Sequence, residues 1–289
     1  MKGNLDKYLE LTKAKVTLLN LLVGVACFVL AAYPKIDLSS LFTFCIAGYL
    51  AAGGCGVLNC VYDTNVDKLM PRTSARAIPA GIVTRGKALL FGLVMTGTGL
   101  AVSYFAFNAM TALMMLLGAL FYVLVYTILL KRTSHWNVVI GGFAGCFAAL
   151  SGWTAVTGTV SLLPLLVSLL DFLWTPGHLW GLAIRKVNEY RKAGIPMLPV
   201  TVGLPRASQI VFFANLLTIV SSLLFPLFGL AGLLYLGVAL SAGSWLLFES
   251  KQLATFPSEK NGFVVFLSSM PYLGLLMAGL LLDKILLVG

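Results

Sequence analysis

The chain has 289 residues, 59% of them hydrophobic and only 10% charged, with 20 Lys and Arg against 10 Asp and Glu for a formal charge of +10. An ordinary soluble domain carries about 25% charged and about 45–50% apolar residues, so a soluble globule is excluded, and so are a disordered chain and a disulfide scaffold. Apolar stretches that run unbroken for about 20 residues exclude the short alternating strands of a transmembrane barrel and leave an all-α, polytopic membrane helix bundle.

The first fifteen residues contain Asp6 and Glu10 and no small-residue cleavage site, so they are expected to be retained rather than removed as a signal peptide. Leu5, Tyr8 and Leu9 lie at helical spacing, which predicts a short amphipathic helix on the cytoplasmic surface. A span needs roughly 20 apolar residues to cross about 30 Å of hydrocarbon. Nine such spans are predicted, at about 16–33, 38–60, 88–107, 109–130, 138–157, 161–184, 208–228, 231–249 and 262–282. The short connections at Asn108 and Gly229-Leu230 leave eight or ten as alternatives. Gly53-Gly54 and Gly141-Gly142 suit close helix packing. Cys27, Cys45, Cys55, Cys60 and Cys146 all fall in apolar spans without a CxxC pair and read as packing residues. With no linker or low-complexity segment, residues 1–289 read as one membrane-embedded domain.

With the N-terminus inside, 18 of the 20 basic residues fall in cytoplasmic segments, Lys35 and Lys284 being the exceptions. By the positive-inside rule the N-terminus is then cytoplasmic and the C-terminus lies on the outer face. The positive charge therefore speaks for a lipid bilayer and not for nucleic acid.

Two cytoplasmic loops, about 59–87 and 174–207, are long and polar. In the first, Asn59, Asp63 and Asp67 are spaced i, i+4, i+8, which places all three on one face of a continuing helix. Two carboxylates and an amide oxygen stacked in this way repel unless a cation lies among them, and an oxygen-only donor set suits magnesium, which bridges carboxylates to substrate phosphates. Arg72 and Arg76, again four apart, can fork onto phosphate oxygens. The constellation reads as a diphosphate site at the membrane surface, against the plainer reading of a solvated helix end.

The second loop begins inside the sixth span. Pro176-Gly177 is expected to kink or locally unwind that helix beside Trp174, His178 and Trp180. Asp171, the one acid deep in a span, lies seven residues before His178 on roughly the same face; it reads equally as a neutral, hydrogen-bonded carboxyl. Lys131 and Arg132 add cations on the same side, either as phosphate contacts or as plain interfacial anchors.

These stretches resemble the UbiA-type intramembrane prenyltransferases and, more narrowly, the haem O synthases (protohaem IX farnesyltransferases). The resemblance is carried by Asn59 through Arg76, Lys131-Arg132-Thr133, Asn137 through Gly142, Phe172-Leu173-Trp174 with Pro176, His178 and Trp180, and Ala193 through Val200, about half the chain in order. Departures are Gly177 where the family has a second Pro, Asn188 before Glu189 where it has two acids, Pro79 three residues after Arg76 instead of directly after it, and Asp171 at an apolar position. The single acid Glu189 puts a second metal site in doubt.

The resemblance implies a nine-helix UbiA-type fold and transfer of a farnesyl group from farnesyl diphosphate to a vinyl group of protohaem IX, with water addition, giving haem O and diphosphate. It implies magnesium on Asn59, Asp63 and Asp67, and diphosphate contacts from Asn59, Arg72, Arg76, Lys131, Arg132 and Arg185. It further implies an acceptor or prenyl pocket with Tyr62, Trp174, Trp180, Glu189 and Tyr190, catalytic roles for Asp63, Asp67 and His178, and haem B as substrate rather than cofactor. It leaves room for a haem A synthase or terminal oxidase as assembly partner. Rival readings are a relative acting on an aromatic, quinone-precursor or lipid acceptor, and, more distantly, a transporter or scaffold.

Overall fold

The computed structural model describes residues 4–288. Lys2 lies outside these residues, and the side chain of Leu5 is not among those described. Fourteen helical elements follow one another, and among the described residues there is no strand. They are α1 (Asn4–Leu11), α2 (Ala14–Ala32), α3 (Leu38–Asp67), α4 (Arg85–Ala106), α5 (Ala109–Leu120), a π-helical segment (Phe121–Leu130), α6 (Asn137–Thr157) and α7 (Leu162–Arg185). Then come α8 (Val187–Lys192), α9 (Leu198–Val202), α10 (Leu204–Ser222), α11 (Leu224–Leu227), α12 (Leu233–Thr255) and α13 (Glu259–Val288).

Nine helices among the described residues are long and apolar enough to cross a membrane, and each coincides with one of the nine predicted spans. The chain is an integral, multi-pass membrane protein. Its outward side chains fit lipid: on α4, Leu90, Leu93 and Val94 are more than half exposed. The two short connections are true helix boundaries. Asn108 caps α5, its Oδ1 accepting from Thr111 N at 2.9 Å, and Gly229 takes a left-handed φ of 68° that ends the turn after α11.

Asp37 caps α3, accepting from the backbone N–H and hydroxyl groups of Ser39 and Ser40. These hydrogen bonds, led by the Ser40 hydroxyl, stabilise the carboxylate and lower its pKa to about 2. The N-terminus of α12 is capped from a distance, Gly232 N and Tyr235 N donating to the Asp283 carboxylate of α13.

The chain divides into two compact units. One takes the chain up to Leu130 together with Phe147–Val160; the other takes Lys131–Cys146 and everything from Ser161. In the first, α3 and α4 cross at glycines: a Cβ on Gly54 would lie 2.7 Å from Thr96 N, and one on Gly99 would lie 2.7 Å from Ala47 O. Leu11 of α1 is buried with Val57, Cys60, Ala77, Ile78, Val83 and Ala88. The short N-terminal helix thus packs on the end of α3 and on the connection that follows it, which holds the polar end of α3 in place. In the second unit α7 packs against α10 and α13, and Gly181 lets the backbone of Gly262 and Phe266 approach to 3.0–3.1 Å from where its Cβ would stand.

Of the kink or local unwinding expected at Pro176, the unwinding does not occur: the helix runs unbroken from Leu162 to Arg185 with Pro176 buried inside it. Proline removes one rung of the backbone ladder, and packing along both flanks holds the remainder in helical geometry. Cys27, Cys55, Cys60 and Cys146 are buried and Cys45 is half-buried, and none of the five forms a disulfide.

Candidate active site

In the first unit the polar cluster stands at the cytoplasm-directed end of α3 predicted from the charge pattern. The helix continues past its apolar stretch to Asp67, and Asn59, Asp63 and Asp67 are 1%, 1% and 5% exposed. Carboxylates so buried are costly without cations or hydrogen-bond donors. Arg76 supplies one: its Nη1 donates to Asp67 Oδ2 at 2.9 Å. Burial pulls the Arg76 pKa down, but the adjacent Asp67, with Cys60 and Asp63 behind, more than reverses this and holds it above its ordinary value.

The connection after α3 is a series of turns rather than a helix, so Arg72 and Arg76 do not share a helical face. Arg76 folds back onto Asp67 while Arg72 remains exposed. Thr73 ties the start of the connection down, its Oγ1 donating to Asp67 O at 3.0 Å, and Arg85 Nη2 donates to Val61 O at 3.2 Å.

Lys13 is the residue that sequence reading missed. It had counted only as an inside-positive charge, 46 residues from Asn59. It is the one non-glycine among the described residues with a positive φ (53°), at the sharp turn between α1 and α2. Thr12 and Thr17 fix that turn: Thr12 Oγ1 donates to Leu9 O at 2.7 Å, and Thr17 Oγ1 donates to Thr12 O at 2.8 Å. The left-handed conformation delivers the Lys13 ammonium to Asn59 Oδ1, and Tyr122 Oη lies 3.4 Å away. No spacing rule could have paired these residues.

The π-helical segment was also unforeseen, since an apolar run reads the same whether its bonds are i→i+4 or i→i+5. Its wider turn lets Thr127 Oγ1 donate to Tyr122 O at 2.8 Å, five residues back. Thr127 Oγ1 in turn accepts from Asn59 Nδ2 at 2.8 Å, which orients the amide and turns Oδ1 toward Lys13. Tyr122 stacks on Tyr126 at 5.8 Å, and Tyr62 Oη donates to Ile128 O at 3.5 Å.

Two carboxylates and one oriented amide oxygen on a single helix face are hard oxygen donors, and two side-chain cations already sit on them. The donor set therefore fits a magnesium ion, which needs only one or two carboxylates from the protein. No group of three His, Cys, Asp or Glu side chains converges among the described residues.

In the second unit Trp174 and His178 stack at 4.2 Å with rings 17° apart, and Phe266 of α13 covers the histidine from 4.5 Å. His178 Nδ1 is 2.7 Å from Ser269 Oγ, and Trp174 Nε1 donates to Ser269 O at 2.7 Å. Trp180 is 3% exposed, with its Nε1 buried and unpartnered. Asp171 is 3% exposed and presses on Gly145, where even a Cβ would collide with its Oδ2.

At the end of α7, Arg185 Nη1 donates to Glu259 Oε2 at 3.1 Å and lies over Phe263. Asn188, in place of an acid, donates to the other oxygen of Glu259 at 3.2 Å and accepts from Arg191 Nη1 at 3.1 Å. Glu189 Oε1 accepts from Lys186 Nζ at 2.7 Å while Oε2 is buried without a partner; Tyr190 is half-buried. Gly194, with φ 66°, closes α8 and turns the chain so that Ile195, Met197 and Leu198 bury and anchor the loop. Lys131 and Arg132 are half-buried in the turn before α6, which Asn137 closes by donating to Ser134 O at 2.7 Å.

A family model described as the UbiA prenyltransferase family matches residues 19–270. The chain is 38% identical to protoheme IX farnesyltransferase 1 of Cenarchaeum symbiosum over 280 residues, 95% of this chain and 94% of that one. It is also 38% identical to the protoheme IX farnesyltransferase of Mycolicibacterium smegmatis, over 96% of this chain and 91% of the relative. Among solved structures, a digeranylgeranylglyceryl phosphate synthase superposes with a TM-score of 0.80 at 19% identity, over 97% of this chain and 98% of the other. A UbiA homologue from Archaeoglobus fulgidus bound to GPP and Mg2+ gives 0.70 at 17% identity, over 95% and 99%. At these identities the structural matches speak for the fold alone.

Proposed function

Since the chain belongs to the UbiA prenyltransferase family and is a membrane-embedded prenyltransferase, we propose that it transfers a farnesyl group from farnesyl diphosphate to a vinyl group of protohaem IX, with addition of water, giving haem O and diphosphate. The observation that carries the donor half is the buried oxygen face of Asn59, Asp63 and Asp67, with Lys13 and Arg76 on it. The acceptor half is supported by relatives named protoheme IX farnesyltransferase at 38% identity over nearly the whole chain.

Asp63, Asp67 and Asn59 would hold magnesium, which when bound supplies Lewis-acid neutralisation of the leaving diphosphate. Lys13 and Arg76 bring two cations to the same face, and Arg72, Lys131, Arg132 and Arg185 remain candidates for outer diphosphate contacts. The reaction breaks the C1–O bond of farnesyl diphosphate, the electron pair leaving with diphosphate. The vinyl π electrons of the acceptor form the new carbon–carbon bond, and water adds to the resulting cation and loses a proton. An allylic cation is sheltered by aromatic faces, and Tyr62, Trp174 and Trp180 are the proposed candidates, with Glu189 and Tyr190 lining the acceptor or prenyl pocket. Both substrates are lipophilic, in keeping with entry from the bilayer. The charge pattern supports an orientation in a cell membrane with the N-terminus and both proposed active-site loops in the cytoplasm and the C-terminus on the outer face.

The test is an assay of membranes bearing the chain with farnesyl diphosphate and either haem or hydroxybenzoate, read by mass spectrometry. The expected product is the hydroxyethylfarnesyl haem; product from hydroxybenzoate alone would overturn the acceptor. In the same assay Lys13→Ala is expected to lower kcat/KM for farnesyl diphosphate about 10–100-fold, the worth of one charge-assisted hydrogen bond of roughly 1.5–3 kcal/mol. An unchanged kcat/KM would remove Lys13 from the site.

A further inference from the structure

Of the described residues of the π-helical segment Phe121–Leu130, only Thr127 is buried, while its apolar neighbours Leu124, Ile128 and Leu129 are exposed as lipid-facing side chains are. The one side chain that this apolar segment buries is therefore a hydroxyl, and it meets Asn59 of α3.

Two proton counts fix the Asn59 amide. The Thr127 hydroxyl has one proton and gives it to Tyr122 O, five residues back, so toward Asn59 its oxygen can only accept. On the other side of the amide stands the Lys13 ammonium, which can only donate. The two constraints are independent and agree: Nδ2 faces Thr127 and Oδ1 faces Lys13. Turning the amide over would set its NH2 against the ammonium and would cost Thr127 its bond to Tyr122 O.

The second unit contains the same pair of groups with a different outcome. Asn215 Nδ2 donates to Ser250 Oγ at 2.8 Å, and Ser250 Oγ donates to Leu246 O at 2.7 Å. There the amide oxygen is buried against Gly177 without a hydrogen-bond partner. An amide held by a back-bonded hydroxyl thus serves helix packing by itself. What sets the α3 pair apart is the direction of the oxygen, which points at a cation from the buried face that also carries Asp63 and Asp67.

We propose that Thr127, which no sequence motif marks, is a positioning residue of the donor site: by accepting from Asn59 Nδ2 it aims Asn59 Oδ1 at the divalent cation. The π-helical register matters because it gives the threonine proton to Tyr122 O and leaves the lone pair for the amide. The inference rests on the metal reading of Asn59, Asp63 and Asp67 above and adds the residue behind the first of those ligands. Partners of this outer kind are worth about 10–100-fold in metal affinity.

The full-length chain in nanodiscs, with inorganic diphosphate present, is titrated with Mn2+ in place of magnesium, and free Mn2+ is read by EPR. Thr127→Val, which keeps the shape and removes the acceptor, is expected to weaken Mn2+ binding about tenfold. Thr127→Ser, which keeps the oxygen, is expected to bind like the parent chain. In an Asn59→Ala background Thr127→Val is expected to cost nothing further, because its effect passes through the amide. Ser250→Ala, the same deletion behind Asn215, is expected to leave Mn2+ affinity unchanged. Parent-like Mn2+ binding in Thr127→Val overturns the proposal, as does a tenfold loss in Thr127→Ser. An equal further loss on top of Asn59→Ala also overturns it, since that would mark a packing role. If Asn59→Ala itself binds Mn2+ like the parent, or the parent binds none, the metal reading of Asn59 falls together with the proposal; a loss in Asn59→Ala with none in Thr127→Val sinks the positioning role alone.

Discussion

Alanine at Asp63 or Asp67 is expected to lower farnesyl transfer about 10³-fold or more, the largest effect of any single substitution in the chain. Charge stabilisation of a leaving diphosphate by a bound divalent cation is worth several kcal/mol, and about 4 kcal/mol corresponds to three decades in rate. Both carboxylates lie on the buried face of α3, so little solvent is at hand to replace them. Asp67→Ala also strands Arg76, whose guanidinium is partly buried against it, so the magnesium requirement and the apparent affinity for farnesyl diphosphate should both worsen. Single-turnover assays across a magnesium titration, with melting temperature as the control for folding, check this. Full activity in the folded double variant would refute the metal role, and it would reopen the transporter or scaffold reading.

Valine at Gly152 is expected to cost roughly 5–10 °C in melting temperature, the second large effect and a purely structural one. Gly152 of α6 lies directly on Gly24 O of α2, closely enough that even a Cβ would overlap it, and Ala148 O sits 3.0 Å from where a Cβ on Gly24 would be. Both sides of the contact are backbone, which has no rotamer by which to yield, so the helices must separate. Overpacking costs about 1–3 kcal/mol, occasionally more, and each kcal/mol shifts the melting point of a chain this large by about 2–4 °C. Gly97 of α4 has nothing within 4 Å of its would-be Cβ, and Gly97→Ala serves as the control with little change. Equal melting temperatures for the two variants, measured in detergent, would show that the α2–α6 contact is loose.

The spans were legible because hydrocarbon thickness sets their length directly: 16–33 against Ala14–Ala32 and 161–184 against Leu162–Arg185 differ by a residue or two at each end. The stacking of Asn59, Asp63 and Asp67 was legible for the same reason, since i, i+4, i+8 spacing is local geometry once the helix continues to Asp67. Extending that rule to Arg72 and Arg76 failed. The helix stops at Asp67, and buried Ala77, Ile78 and Val83 draw the following turns onto α1 and α3 instead. The local unwinding foreseen as one outcome at Pro176 likewise did not occur, because packing within the second unit outweighs the loss of one backbone hydrogen bond.

Composition and periodicity therefore sufficed for membrane class, span number and the acidic face, all of which follow from properties of consecutive residues. The positive charge of +10 that first suggested a topology signal resolves further in the folded chain. Lys13 turns out to be a resident of the acidic site, while Arg185 spends its charge on an exposed pair with Glu259. Lys13 on Asn59, Thr127 orienting that amide, and Ser269 hydrogen-bonded to His178 join residues 46, 68 and 91 positions apart. Partners of that kind are chosen by helix packing, which brings distant polar groups within 3 Å of one another and leaves no periodic trace in the chain.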